Sequence, residues 1–237
     1  MKGNLFLIPS FLSESNDQSF ISPLVKDIIS NTEHFLVENV RTARRFISDL
    51  KLGLDISTLQ FSVLDKKSSE QSLNESFDLI QKGKDIGVIS EAGLPGLADP
   101  GGLAVAKAHR DGIKVIPLPG ASAIQTAITT SGFNGQQFTF HGYLPIEGTE
   151  RRKTIIELHA QLKSTGYTQV FMETPFRNLS LLKSLVDHTP GDTLLHICAD
   201  CFGSKELTAT KTITEWSKKL PEIHKIPAVF CIGQFVS

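Results

Sequence analysis

The feature that most constrains this chain is the alternation of strand-like and helix-like segments over its first half. Short apolar runs at 5–8, 35–37 and 86–89 are typical of buried strands. Between them, the segment 43–50 repeats its apolar residues at helical spacing. This alternation predicts an α/β fold with a mostly parallel sheet covered by helices. In such sheets, ligands bind beyond the carboxyl ends of the strands.

Two local signals predict where helices of the first half begin. Ser22 precedes Pro23, which is the usual order of a capping hydroxyl and a proline in the first helical position. Ser68 and Gln71 have the spacing of a capping box, and Gly83 is placed to end the helix that this box would open.

The second half has a different pattern, and the change marks a predicted domain boundary. Two prolines and a glycine in Pro117–Gly120 interrupt any regular element. Helix and strand patterns alternate up to about residue 186, and then three strand-like runs follow at 194–199, 205–213 and 228–236. We therefore predict an α/β domain over residues 1–117 and a second domain with a mixed sheet over residues 118–237.

Composition excludes several classes of protein. The formal net charge of the 237 residues is −1, so any contact with RNA must come from a local basic patch. Three cysteines are too few for a disulfide framework and favour a reducing compartment. No apolar run reaches the ~18 residues that a membrane helix needs. We expect a cytoplasmic protein that does not enter a membrane.

The strongest local signal is the loop Ser90–Gly102, which holds four glycines and two prolines. Glycine lets a backbone approach a ligand closely, and the loop follows a predicted buried strand. An ordinary strand-to-helix connector in which Asp99 begins the helix is the alternative. The loop matches neither the dinucleotide fingerprint nor the P-loop, which weakens the nicotinamide and nucleoside-triphosphate interpretations.

Two weaker signals lie further along the chain. Small residues in 119–123 leave room for a ligand at a helix start, although Ser122 could simply cap that helix. Glu173 and Arg177 come directly after a strand-like run and could face a ligand, or they could form a surface ion pair.

Basic and sulfur-containing clusters have plain alternatives as well. Arginines at 41, 44 and 45 and the basic run 151–153 could contact phosphates, but such runs are usually solvated helix faces. Cys198 and Cys201 form a single CxxC pair without a second pair, so we predict ordinary strand cysteines and no metal site.

Four segments together resemble the tetrapyrrole methylase superfamily, and within it most closely the ribosomal small-subunit RNA (cytidine-2′-O)-methyltransferases. They occur in the order and spacing of that family over roughly residues 85–180. The segments are VISEAGLPGLADPGG (Val88–Gly102), IKVIPLPGASAI (Ile113–Ile124), FTFHGYLP (Phe138–Pro145) and VFMETPFRN (Val170–Asn178). VENVRTARRF (Val37–Phe46) resembles the family's acidic and arginine-containing segment more weakly.

The resemblance implies two α/β domains with S-adenosyl-L-methionine in the cleft between them, and a homodimer. It implies a methyltransferase whose partner is ribosomal RNA or the small ribosomal subunit, and not DNA. The cofactor-binding residues that it implies are Pro9, Ala92, Gly93, Leu94, Leu97, Ser122, Ala123, Met172 and Glu173.

The sequence also departs from the family pattern. The first loop, Pro9–Asp17, lacks the family's glycines, and Glu91 and Leu94 stand where the family has Asp and Thr. The late segment Lys205–Thr208 only partly matches the family's Arg-Glu-Leu-Thr-Lys, and the small C-terminal extension of many RNA enzymes is not seen. These differences bear on the substrate more than on the fold.

Methyl transfer to a ribose hydroxyl needs alignment and a base that removes the hydroxyl proton. The carboxylates at predicted strand ends are Glu38, Glu91 and Glu173, and we predict that one of them is the catalytic base. Arg41, Arg44 and Arg177 are the predicted substrate-binding residues. A tetrapyrrole or other small-molecule methyltransferase, or a non-catalytic binding module that has lost its cofactor, are the alternatives.

Overall fold

The computed structural model describes residues 2–13 and 18–236, and it divides into two compact units, Met1–Ser122 and Ala123–Ser237. The end of the predicted first loop, residues 14–17, lies outside the described residues. Across the described ranges, no helix is both long enough and apolar enough to span a bilayer.

The first unit is a parallel five-stranded sheet with the strand order β3-β2-β4-β1-β5. Its strands are β1 Asn4–Ile8, β2 His34–Val37, β3 Gln60–Val63, β4 Ile86–Ile89 and β5 Lys114–Pro117, and its helices are α1 Pro23–Ser30, α2 Val40–Asp49, α3 Asn74–Gln81 and α4 Gly101–Arg110. Short 3-10 helices occupy Gln18–Phe20, Ile56–Thr58 and Gln71–Leu73.

Helices cover both faces of this sheet. Successive residues of a strand point to opposite faces, so one strand contributes side chains to the apolar clusters on both sides. In β2, Phe35 and Val37 pack into one apolar cluster with residues of α1 and α2. Leu36, between them, packs into a second cluster with residues of α3 and α4. All four residues of β4 are buried, as expected for a strand that is covered on both faces.

The second unit is a mixed five-stranded sheet with the order β6-β7-β10-β8-β9. Its strands are β6 Phe138–Tyr143, β7 Thr168–Glu173, β8 Leu194–Ala199, β9 Leu207–Thr212 and β10 Ala228–Gly233, and its helices are α5 Ala123–Ser131, α6 Gly148–Thr165, α7 Asn178–His188 and α8 Ile213–Lys218. Only β6 and β7 pair in parallel among the described strands of this unit, and the other pairs are antiparallel. The predicted fold class, with a parallel first sheet and a mixed second sheet, is confirmed.

One predicted helix start is correct and another is wrong. Ser22 accepts a hydrogen bond from the backbone N–H of Val25, and α1 begins at Pro23. Ser68 caps no helix, because its hydroxyl accepts a hydrogen bond from the backbone N–H of Asp65 at 2.9 Å. The chain instead passes through the 3-10 turn Gln71–Leu73, and α3 begins only at Asn74.

The segment 205–213 was predicted as a strand alone, and the structure adds a helix that the prediction missed. Strand β9 ends at Thr212, whose hydroxyl accepts from the backbone N–H of Glu215. The Glu215 carboxylate accepts in return from the backbone N–H of Thr212 at 2.8 Å. This capping box begins α8, which buries Trp216 against the sheet, where its indole N–H donates to the carbonyl of Leu195.

Candidate functional site

The candidate site of the first unit lies where β1, β2 and β4 end. Because these strands are parallel and adjacent, their carboxyl ends share one edge of the sheet. Pro9 and Ser10 follow β1, Glu38 follows β2, and Ser90 and Glu91 follow β4. The glycine-rich loop of residues 90–102 therefore begins at this edge and ends in α4.

Hydrogen bonds hold this loop in one conformation. The carbonyl of Gly93 accepts from the backbone N–H of Ser10 at 3.0 Å and from the hydroxyl of Ser90 at 3.1 Å. The carboxylate of Asp99 accepts from the backbone N–H groups of Gly96 and Gly101, the latter at 2.9 Å. The loop is thus fastened to the end of β1 and to the start of α4.

Two glycines of this region are packed so closely that an added Cβ would force a neighbouring group to move. A Cβ on Gly120 would lie 2.2 Å from Pro9 Cβ. Gly93 has a φ of +73°, and a Cβ there would lie 2.9 Å from Leu12 Cδ2 and 3.3 Å from the Ala121 carbonyl oxygen. Beside them, the Ser10 hydroxyl is buried and has no hydrogen-bond partner among the described residues.

These observations give the region the features of a ligand cradle. Two glycines allow the loops at this edge to approach one another closely, and one buried hydroxyl lacks the partner that a buried polar group normally has. Ala92 and Leu97 are exposed and Leu94 is half-buried, so the loop also offers small and apolar contact surface. The residues present therefore fit an adenosyl-type ligand with both polar and apolar parts.

Acidic side chains cluster at the same edge. The backbone N–H of Glu91 points to the Glu38 carboxylate at 3.4 Å, and the Glu91 carboxylate accepts from the Thr42 hydroxyl. Partial burial raises the pKa of Glu38, and the charges of Asp99 and Glu91 raise it further against the opposing N–H of Glu91. Burial likewise raises the pKa of Asp99, although two backbone N–H groups oppose the rise.

A surface depression of about 470 Å³ lies beside this cluster. Its lining residues come from the segment after β3 and from the end of the glycine-rich loop: Asp65, Lys66, Ser68, Ala98, Asp99, Pro100 and Leu103. Asp99 thus contributes both to the depression and to the electrostatic field at Glu38.

The predicted arginines of the first unit lie on α2, immediately after Glu38 and its neighbour Asn39. Asn39 caps this helix by accepting from the backbone N–H of Arg41. Arg41 and Arg44 are both exposed, and the guanidinium of Arg44 lies over the Phe61 ring at 5.4 Å from its centroid. The two arginines differ in their contacts, because the guanidinium of Arg44 already has an aromatic partner.

In the second unit, the predicted site residues lie at the end of β7. Glu173 has a fully buried side chain, and its Oε1 accepts from Arg177 Nε at 2.9 Å and from the Thr174 backbone N–H at 2.6 Å. Its Oε2 is buried without a partner among the described residues. Met172 precedes it and is half-buried.

The remaining predicted residues are consecutive in the chain, where the first unit ends and the second begins. Ser122, the last residue of the first unit, is buried, and Ala123 opens α5 of the second unit. The structure therefore brings together Pro9, Glu38, Glu91, Ala92, Gly93 and Leu94 in one unit, and Met172, Glu173 and Arg177 in the other.

Three residues of the site were missed by the sequence reasoning. Ser10 and Thr42 carry only short polar side chains, and nothing local to them signals a partner. Asp99 did have a signal, because an aspartate two residues before a glycine in Asp-Pro-Gly-Gly is typical of a side chain that accepts backbone N–H groups.

Comparisons with known proteins bear on this site. Residues 21–216 match the family model described as Tetrapyrrole (Corrin/Porphyrin) Methylases. A protein of Vibrio cholerae named ribosomal RNA small subunit methyltransferase I is 28% identical over 188 residues, which are 79% of this chain and 61% of that protein. A protein of Borrelia garinii subsp. bavariensis with the same name is 32% identical over 156 residues, which are 66% of each chain.

The chain thus spans less than two thirds of the length of these two relatives. Among solved structures, the methyltransferase CobJ superposes with a TM-score of 0.64 at 13% identity, over 98% of this chain and 94% of that one. At that identity, the likeness shows the fold alone.

Proposed function

This chain belongs to the tetrapyrrole (corrin/porphyrin) methylase family, and from that membership we propose that it is an S-adenosyl-L-methionine-dependent methyltransferase acting on small-subunit ribosomal RNA. The family membership confirms the resemblance found in the sequence. The observation that carries the proposal is the cradle formed by Ser10, Gly93 and Gly120 at the carboxyl edge of the parallel sheet.

The cradle would hold the cofactor through backbone and small side chains. Gly93 and Gly120 let the segments after β1, β4 and β5 pack closely against one another, and we expect the unpartnered Ser10 hydroxyl to bind a polar group of the ligand. Pro9, Ala92, Leu94, Leu97, Ser122, Ala123, Met172 and Glu173 stay predicted cofactor contacts. When bound, S-adenosyl-L-methionine supplies an electrophilic methyl group, so the protein's part is alignment and proton removal.

Among the three candidate bases, the structure favours Glu38. Burial raises its pKa, which brings a carboxylate closer to the range in which a base removes a proton effectively at neutral pH. The Glu91 carboxylate is engaged by the Thr42 hydroxyl, and Glu173 Oε1 by Arg177 and a backbone N–H. We propose Glu38 as the base and Glu91, whose N–H faces it, as a positioning residue.

RNA is the proposed substrate because both relatives described above are named ribosomal RNA small subunit methyltransferase I. The exposed Arg41, three residues after Glu38 in the chain, is the arginine best placed to contact a phosphate. Arg44 lies over Phe61 and Arg177 pairs with Glu173, so we expect smaller contributions from them. The 2′-hydroxyl of a cytidine is the proposed methyl acceptor.

Further parts of the proposal concern the assembled protein. We propose a homodimer that works in the cytoplasm, with a domain boundary after Pro117. Size-exclusion chromatography with light scattering tests the dimer directly, because a monomer at all concentrations would contradict it.

The decisive experiment separates cofactor binding from methyl transfer. Calorimetric titration with S-adenosylhomocysteine should show micromolar binding to the chain and to Glu38→Gln alike. Labelled methyl transfer to small ribosomal subunits should be lost in Glu38→Gln and retained in Glu75→Gln, a matched glutamate in the first turn of α3. Absence of binding even at millimolar ligand would contradict the cofactor. Normal transfer by Glu38→Gln would contradict the proposed base.

A further inference from the structure

The turn that follows β7 presents an aromatic ring to solvent. Phe176 is 71% exposed, the highest value among the exposed large apolar side chains of the described residues. Single exposed apolar residues are common, but Phe176 directly precedes Arg177 and follows Glu173 by three residues, and the family resemblance points to this segment. The residues and hydrogen bonds around Phe176 therefore decide whether this exposed ring is a binding surface.

The backbone around Phe176 is held on both sides. The Arg177 backbone N–H donates to the carbonyl of Thr174 at 2.9 Å, and the Arg177 side chain donates to the buried Glu173. The Lys225 backbone N–H donates to the carbonyl of Pro175 at 3.0 Å. These bonds fix the turn, so exposure of the ring does not come from a loose loop.

A second loop is fastened to this turn. Asn178, fully buried at the start of α7, donates from Nδ2 to the carbonyls of Ile223 and Ile226, the former at 3.4 Å. The segment between those two carbonyls carries the exposed His224 and Lys225. Lys225 forms no ion pair among the described residues. An exposed aromatic ring and a free cation thus share one fixed surface.

The surroundings of the ring distinguish between kinds of partner. A protein interface is built around a contiguous apolar patch. In contrast, the turn residues Thr174 and Arg177 and the exposed loop residues His224 and Lys225 are polar. An exposed aromatic ring together with cationic and polar groups is instead the arrangement with which proteins stack unpaired nucleobases while basic groups contact the phosphates.

We propose that Phe176 is a stacking platform for an unpaired base of the RNA substrate, and that Lys225 contacts the phosphate next to that base. The proposal rests on the RNA substrate proposed above and assigns this surface a part in binding it. Tyr143, the last residue of β6, is 48% exposed and pairs in register with Met172 near the end of the neighbouring strand β7. Phe176 thus follows the end of β7, and a second exposed aromatic ring lies at the end of the adjacent parallel strand β6.

The test uses the full chain and a short single-stranded RNA that carries the fluorescent base 2-aminopurine. Phe176→Ala and Phe176→Leu should each weaken RNA binding by about 5- to 150-fold, the range found when a stacking aromatic is removed. Phe176→Tyr should bind within about threefold of the parent, because it keeps the ring. Stacking quenches the fluorescent base, so quenching should persist with Tyr and disappear with Leu.

The control is Phe138→Ala, which removes a ring of 43% exposure at the start of β6, the opposite end of that strand from Tyr143. It should leave RNA binding unchanged. Lys225→Gln should weaken binding and reduce its dependence on salt concentration. Thermal unfolding of every variant checks that the fold is kept.

Parental RNA affinity and quenching in Phe176→Leu would overturn the platform, and so would a failure of the parent chain to bind this RNA. S-adenosylhomocysteine titration separates the two proposals. If the parent binds it and transfers methyl groups to ribosomal subunits, the proposed function stands whatever the Phe176 variants do. If the parent neither binds it nor transfers methyl groups, the proposed function fails, even where Phe176 stacks an RNA base.

Discussion

Arg177 is held by Glu173 through two hydrogen bonds to one carboxylate oxygen, Nε at 2.9 Å and Nη2 at 2.6 Å. The carboxylate is fully buried, whereas the guanidinium is 31% exposed. The half-buried guanidinium therefore offsets a carboxylate that lies beneath the surface. The pair ties the end of β7 to the turn that carries Phe176, so a change at either residue should affect that turn.

We expect Arg177→Met to destabilise the protein by about 1–3 kcal/mol, because it leaves a buried carboxylate with only a backbone N–H donor. Glu173→Gln should cost less, since the amide oxygen still accepts from Thr174 and Arg177. Urea unfolding of both variants measures the difference. Equal stability of Arg177→Met and the parent would show that the carboxylate finds another partner or is neutral.

The glycines of the cradle allow a prediction with internal controls. Gly120→Ala should weaken S-adenosylhomocysteine binding strongly, because its Cβ would lie 2.2 Å from Pro9 and one of the two segments must move. Gly102→Ala meets no atom within 4 Å and lies in α4, so it should leave affinity unchanged and stabilise the helix by up to about 1 kcal/mol.

Gly96→Ala separates backbone strain from steric contact. The φ of Gly96 is +82°, but the nearest atom to an added Cβ is 3.8 Å away. We expect it to lower stability by about 1 kcal/mol, with little loss of affinity. Calorimetry and thermal unfolding measured on all three variants test the order. If Gly102→Ala binds as poorly as Gly120→Ala, the cradle does not hold the ligand.

The raised pKa of Glu38 makes a prediction about stability and pH. A carboxyl whose pKa is higher in the folded state than in the unfolded state is favoured when protonated, so its contribution is present below its ordinary value of 4.5 and is lost as the pH rises through the folded value. Glu38→Gln should therefore raise the melting temperature at neutral pH and have little effect near pH 4. A gain that is equal at both pH values would contradict the shift.

Periodicity was sufficient to predict the central strands β1, β2 and β4 of the first unit, because they are largely buried and read as short apolar runs. Polar capping signals were less reliable. Ser68 and Gln71 have the spacing of a capping box, but the Ser68 hydroxyl is bound to Asp65 instead. It accepts from the Asp65 backbone N–H and donates to the Asp65 carboxylate. Thr212 and Glu215 have the same i, i+3 spacing and do form the box, which the strand-like pattern before Thr212 concealed.

The parts of the candidate site that depend on backbone shape could be predicted from the sequence. The parts that depend on the surroundings of a single side chain could not. The glycine-rich loop shows itself through composition, whereas the unpartnered hydroxyl of Ser10 depends on how the end of β1 meets Gly93. The exposure of Phe176 is equally invisible in sequence, since phenylalanine after a strand is usually buried. Such properties come from tertiary contacts, which no local pattern encodes.

Of the two cysteines predicted to be ordinary strand residues, Cys198 lies in a strand, whereas Cys201 lies in the turn that follows it, and the pKa values of the two thiols are shifted in opposite directions. Cys198, in β8, and Cys201 are both buried, with their sulfur atoms 2.7 Å apart. The thiol hydrogen bond from Cys201 lowers the pKa of Cys198 to about 6, with a smaller contribution from His196. The same hydrogen bond raises the pKa of Cys201, and burial raises that of Cys231. Near neutral pH, Cys198 alone should therefore ionise.

Ultraviolet absorbance of thiolate during a pH titration tests this assignment. One thiolate should form around pH 6 in the parent. Cys201→Ala removes the donor, so burial should then dominate and the transition should move upward by more than a unit. Cys201→Ser keeps an O–H donor and should shift it less. Because the folded pKa lies below the ordinary 9.0, the thiolate stabilises the parent above that value, and this contribution falls away as the pH drops through about 6. A parent and a Cys201→Ala variant with the same titration curve would show that the two sulfur atoms are not coupled.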